Sequence, residues 1–157
     1  MSFSFTTDRK KRFKALLQSY PDKRSVALPA LHLAQEQEGY LTRETIEALA
    51  HMLELAPADL MDTVSFYTMF RTRPTGKYLL QTCSTLACSL NGADQLTDHL
   101  QEKLHIKVGE TTPDGKFTLL KVECLGSCGT APVLRINDDY HEKLTLGKVD
   151  RILAKLK

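Results

Sequence analysis

The four cysteines of this chain fall in two pairs, Cys83 and Cys88 in "QTCSTLACSL" and Cys124 and Cys128 in "ECLGSCGTAP". Each pair directly follows a stretch that reads as a strand, "YLLQT" at 78–82 and "FTLLKVE" at 117–123. Two neighbouring strands can present their loops at the same end of one sheet, so a fold that does this brings four thiolates together. Free cysteines are often simply buried apolar side chains, but core cysteines scattered by chance would not all lie in two polar, glycine-bearing loops.

Three chemistries suit such a set. A binuclear iron-sulfur cluster takes two thiolates on each of two tetrahedral irons, so four cysteines saturate it. Gly126 and Gly129 let backbone N–H groups approach the sulfides, and Ser84, Thr85 and Ser127 offer small donors. A structural zinc site also accepts four cysteines, but zinc ribbons favour tight spacers; here the pairs enclose four and three residues around a gap of 35. A dithiol redox site usually uses C-x-x-C, which neither pair shows. On the residues alone all three stay open. A Rieske-type centre needs histidine ligands, and His32, His51, His99, His105 and His141 all lie outside the cysteine loops.

The rest of the chain narrows the function further. Its 157 residues suffice for an ordinary core, so disulfide staples are not needed. No run approaches the roughly 20 apolar residues of a membrane span, and the first residues lack a hydrophobic signal core. These features predict a soluble protein in a reducing compartment, where cysteines serve as ligands more often than as disulfides. A formal net charge of +2 points to neither nucleic acid nor a membrane surface. "TRETIEALAHMLELAPADLMDTVSFY" mimics a helix-turn-helix, but its second helix opens on Asp59 and Asp62, which repel phosphates. "RPTGKY" lacks the earlier glycine and the Ser/Thr of a phosphate loop and reads as a turn. No dinucleotide fingerprint follows a strand, and no residue stands out as an acid, base or nucleophile.

Two rhythms divide the sequence. Up to about residue 75 the spacing is helical. A helix capped at Thr6 or Thr7 carries Phe13, Leu16 and Leu17 and stops at Pro21. A second starts near Ser25, buries Leu28, Leu31 and Ala34, and ends at Gly39. A third, capped by Thr42, carries Ile46, Leu49 and Leu53. A fourth opens at Pro57 and runs through "PADLMDTVSFYTMF" with Leu60, Met61, Val64 and Tyr67 on one face. Phe66 and Phe70 are expected in its core, and Tyr67 is a candidate docking residue. From residue 76 the order is strand, helix (92–104), strand, strand at "PVLRI", a turn at Asp138-Asp139, a short strand at "YHEKL", and a helix capped by Thr145. A β-α-β-β-β-α order with a crossover between its first two strands suggests a thioredoxin-like sandwich. The predicted class is α+β: an N-terminal helical bundle over 1–75, then a thioredoxin-like α/β domain over 76–157.

With these motifs placed, the chain closely resembles the small iron-sulfur (E) subunit of the NADH dehydrogenase module of respiratory complex I. The resemblance rests on C-x4-C at Cys83 and Cys88, C-x3-C in "VECLGSCGTAPV", "SFYTMF" before "PTGKY", "GETTPDGKF" and "INDDYHEKLT". It implies a 2Fe-2S cluster on Cys83, Cys88, Cys124 and Cys128 of a thioredoxin-like ferredoxin domain. It further implies a partner flavoprotein subunit that holds FMN and NADH and exchanges single electrons with the cluster. The chain would then lie in the peripheral arm of a membrane complex, on the bacterial cytoplasmic side or the matrix side of a mitochondrion, without entering the membrane. Related subunits serve NAD-linked hydrogenases and formate dehydrogenases. A low potential is expected unless Lys121 or Arg135 lies close to the cluster.

Overall fold

The structure is a computed structural model describing residues 3–156. The chain separates into two compact units, Met1–Pro74 and Thr75–Lys157.

The first unit holds four helices, α1 (Thr7–Ser19), α2 (Ala27–Glu38), α3 (Arg43–Leu53) and α4 (Pro57–Phe66). Local chemistry sets most of their ends. The Thr42 hydroxyl accepts the Thr45 N–H at 3.2 Å and caps α3. Gly39, at φ 82°, closes α2, and Pro57 takes the first position of α4, where its missing N–H costs nothing. Thr6 precedes α1 without a side-chain cap bond, and α2 begins at Ala27, just past the expected Ser25. Phe13, Leu31, Ala34, Ile46, Leu49, Leu53, Leu60 and Val64 meet in one buried core, with Leu16, Leu17 and Leu28 packed against it.

The fourth helix is shorter than its spacing predicts. It ends at Phe66, and Tyr67 is already extended. The buried Gln35 side chain explains the break: its amide donates to Met69 O at 2.9 Å while its oxygen accepts the Arg71 N–H at 2.7 Å. Leu41 N–H donates to Arg71 O at 2.7 Å. Stretched along α2 in this way, the segment turns Phe70 inward against His32, with ring centroids 4.9 Å apart. Phe70 is core at 7% exposure, whereas Phe66 is 76% exposed and Met61 and Tyr67 are also exposed. The expected burial of Phe66 is therefore corrected, while Phe70 lies in the core as expected.

The second unit is a four-stranded sheet with helices. Strands β1 (Tyr78–Cys83), β2 (Phe117–Val122), β3 (Leu134–Ile136) and β4 (Asp139–His141) lie in the order β2-β1-β3-β4. β1 and β2 run parallel, with Leu80 opposite Leu119 and Cys83 opposite Val122; β3 and β4 are antiparallel additions. The crossover between β1 and β2 contains a short helix, α5 (Leu86–Leu90), and α6 (Ala93–Leu104). The sequence gives no sign of α5, because five residues are too few to show a period. The turn before β4 sits one residue early, at Asn137 with φ 54°, so the strand begins at Asp139. Thr145 caps α7 (Leu146–Lys155) by accepting the Lys148 N–H. Register places Leu80, Leu119, Leu134 and Ile136 on one sheet face, where they share a core with Leu96 and Leu100 of α6 and Val149 and Leu153 of α7.

Gly76 guards the entry to β1. A β-carbon there would lie 2.9 Å from Gly115 O, Lys116 C and Phe117 N, all backbone atoms of the facing turn. Gly76→Ala must push β1 away from β2 and is expected to cost about 1–3 kcal/mol, as overpacking does. A thermal melt should fall by roughly 2–4 °C for each kcal/mol; an unchanged melt would show that the turn yields freely.

Candidate iron-sulfur site

Parallel pairing fixes the site. Because β1 and β2 are adjacent and point the same way, the loops that leave them emerge at one end of the sheet. Ser84 N–H extends the pairing to Val122 O at 2.9 Å, which carries both chains to the point where they diverge. Cys83, the last residue of β1, and Cys88, on α5, are both buried. Cys124 and Cys128, from the loop after β2, are exposed, and Cys128 opens a single 3-10 turn (Cys128–Thr130). All four are free thiols.

The thiols interact across the two loops. Cys83 Sγ donates to Glu123 O at 3.4 Å and lies 3.1 Å from Thr85 Oγ1. Burial pushes the Cys83 thiol up, but hydrogen bonds from Thr85, Cys88 and the Leu125 N–H outweigh it and leave the thiol below its ordinary value. Burial and then the neighbouring Cys83 push Cys88 up to about 11, against the Val133 N–H, which favours its thiolate. Cys128 is raised first by its hydrogen bond with Cys124 and then by the charges of Cys124 and Cys83. Gly126 N–H donates to Cys124 Sγ at 3.3 Å. The bond from Cys83 Sγ to Glu123 O joins the two loops. Cys83, Cys88, Ala93 and Val133 form a small buried cluster, with Leu125 and Ala131 packed against it. Ala131-Pro132 is a cis peptide bond.

This donor set fits a 2Fe-2S cluster. Within each pair one thiolate disfavours the other, as the raised Cys88 and Cys128 values express, and cations between the sulfurs would relieve this. Gly126, at φ 75°, and Gly129 both have open space where a β-carbon would point, so the exposed loop is uncrowded. Among the described residues no three or more His, Cys, Asp or Glu side chains are gathered closely enough to hold a metal ion.

The donors expected from the sequence divide differently in the structure. Of the three hydroxyls, that of Thr85 touches a cysteine sulfur, whereas the Ser84 hydroxyl donates to Val122 O at 3.1 Å and that of Ser127 to Glu142. Lys121 is held by Asp94 at 2.8 Å and Arg135 by Asp138 at 2.7 Å. Glu142 and Asp94 escape a reading of the sequence, since neither carries a local signal linking it to a cysteine 14 or six residues away.

Comparison with known proteins agrees with this geometry. The sequence model of the thioredoxin-like 2Fe-2S ferredoxin matches residues 13–157. The chain belongs to that family. It is 42% identical to the E 2 subunit of NADH-quinone oxidoreductase of Rhizobium meliloti, over 92% of this chain and 86% of that protein. It is 42% identical to NADH-quinone oxidoreductase subunit 2 of Thermus thermophilus, over 98% of this chain and 86% of that one, and 44% identical to the E subunit of the same oxidoreductase of Rickettsia felis, over 98% and 95%. Among solved structures, an NAD+-reducing NiFe-hydrogenase in its H2-reduced state superposes with a TM-score of 0.71 at 25% identity, covering 83% of this chain and 22% of that one. This ferredoxin-family chain has no helix, among its described residues, that is long and apolar enough to cross a membrane.

Proposed function

We propose that Cys83, Cys88, Cys124 and Cys128 are the four thiolate ligands of one 2Fe-2S cluster, and that the chain is the electron-transfer subunit of the NADH dehydrogenase module of a complex I-type enzyme. The observation that carries this reading is the contact of the two cysteine loops at the shared end of β1 and β2, where Cys83 Sγ donates to Glu123 O and Leu125 packs against the buried group that holds Cys83 and Cys88. When bound, the cluster supplies a one-electron store. The chain itself supplies the rest. Cys83 and Cys88 give a buried wall, Cys124 and Cys128 an outward rim; the N–H groups of Leu125 and Val133 favour thiolate on Cys83 and Cys88, and Gly126 N–H donates to Cys124 Sγ. Lys121 and Arg135 are paired with carboxylates, which supports a low potential.

The electron donor in this reading is FMN on a partner flavoprotein subunit, reduced there by the hydride of NADH, and the site belongs to the peripheral arm of the complex. Identities of 42–44% over nearly the whole chain to quinone-linked subunits, against 25% to the hydrogenase, favour the quinone-linked assembly.

Mixing the cluster-bearing chain with the flavoprotein tests this reading. NADH should bleach the visible absorbance of the chain only when flavin protein is present; no bleaching with both would contradict the assignment. Phe66 bears on the docking. Its exposed ring stacks edge-on to Tyr67 at 5.0 Å, and alanine there should change the isolated chain's stability by no more than about 0.5 kcal/mol. If this aromatic pair anchors the partner, Phe66→Ala should weaken binding by roughly 1–2 kcal/mol, read as co-elution with the flavoprotein. Unchanged co-elution places the dock elsewhere.

A further inference from the structure

The loop that carries Cys124 and Cys128 is tied to a remote piece of chain. Ser127 Oγ donates to the Glu142 carboxylate, and Ser127 Oγ and Thr130 Oγ1 lie 2.6 Å apart. Thr130 also donates to Ser127 O at 3.0 Å. The backbone repeats the tie, with Lys143 N–H on Thr130 O at 2.7 Å and Leu144 N–H on Pro132 O at 3.3 Å. Glu142 thus fastens Ser127 directly, and Thr130 through Ser127, to the chain leaving β4. The hydrogen bond from Ser127 holds its carboxyl below the usual range, so it is an acceptor at neutral pH.

We infer that Glu142 is a positioning residue for the cysteine loop, fixing Cys128 through Ser127 and Thr130. The inference rests on the reading that Cys128 is a cluster ligand. The Cys124–Cys128 loop is exposed and is followed or interrupted by glycines at 126 and 129, so its own backbone does little to restrain it. Cys88, by contrast, is held in a buried position on a helix. A loop that must hold one sulfur at a fixed place needs an outside anchor, and a carboxylate that accepts the Ser127 hydroxyl, which in turn meets Thr130 beyond the sulfur, is one. The other cysteine loop has a matching tie: Ser89, next to Cys88, donates to Asp94 at 2.9 Å, and Asp94 is in turn paired with Lys121.

The test uses the full chain loaded with its cluster and challenged with EDTA, with the paramagnetic spectrum of the reduced protein as a second reading. Glu142→Ala should shorten cluster lifetime by at least about tenfold, the lower end of what losing a ligand-supporting partner costs a metal site, and should shift the g values. Glu142→Gln keeps an oxygen acceptor and should restore both to near wild type. Ser127→Ala should reproduce the alanine effect, and the Glu142→Ala, Ser127→Ala pair should lose no more than either alone. A Glu142→Ala chain with wild-type lifetime and g values overturns the inference while leaving the ligand assignment standing. If Glu142→Ala does not fold, Ser127→Ala decides by the same two readings. A wild-type chain that takes up no iron and sulfide overturns the ligand assignment and this inference with it.

Discussion

Serine in place of any one of Cys83, Cys88, Cys124 or Cys128 is expected to remove or strongly alter the visible absorbance and the paramagnetic signal of the reduced protein. Iron in such a cluster is held by soft thiolate, and a serine hydroxyl is both harder and far more reluctant to ionise. The loss should exceed the ~10–100-fold that a missing supporting hydrogen bond costs a metal site. The fold should survive. A serine at Cys83 can still donate to Glu123 O and meet Thr85, and Cys124 and Cys128 are exposed, so circular dichroism should stay close to wild type while the colour goes. Any single serine variant that keeps the full spectrum removes that residue from the ligand set.

Leu80→Ala should produce the largest loss of stability among simple substitutions in the second unit. Leu80 is fully buried in the central strand β1, beside Leu119 on β2 and Ile136 on β3, under α6 and α7. Neighbours on both sides and above prevent the space from closing, and a Leu→Ala cavity of this kind costs about 2–5 kcal/mol. Against a typical domain stability of about 5–15 kcal/mol, that is a large share, and a urea midpoint should fall by roughly 1–2 M. The effect also reaches the site, because Cys83 ends the same strand three residues on. A midpoint within experimental scatter of wild type would mean that Leu80 does not pack as the sheet places it.

Much of the fold is legible because its signals are local. Thr42 and Thr145 announce α3 and α7 as capping threonines and accept the N–H groups of Thr45 and Lys148. Apolar runs before the cysteines announce β1 and β2, and their pairing as parallel neighbours brings both cysteine pairs to one end. Other features arise between residues far apart in the chain, where no period or motif can show them. Gln35 ends α4 from 34 residues away by bonding Met69 and Arg71, so a continuous helical pattern through Tyr67 misreads a chain that is already extended. Phe66 follows from the same contact: once the helix stops, its ring has no core to enter. α5 is too short to have a rhythm, yet it carries Cys88 into contact with Cys83. Ser127 looks like a donor for sulfide because of its place in the loop; only the distant Glu142 reveals where its hydroxyl goes.

Iron, zinc and acid-labile sulfide analysis of the purified full-length chain tests the central claim most directly. The expected result is a red-brown protein with two irons and two sulfides for its four cysteines, the stoichiometry of a thiolate-held binuclear cluster. A colourless protein holding one zinc and no sulfide would contradict it and make the cysteine loops the core of a zinc-stabilised scaffold.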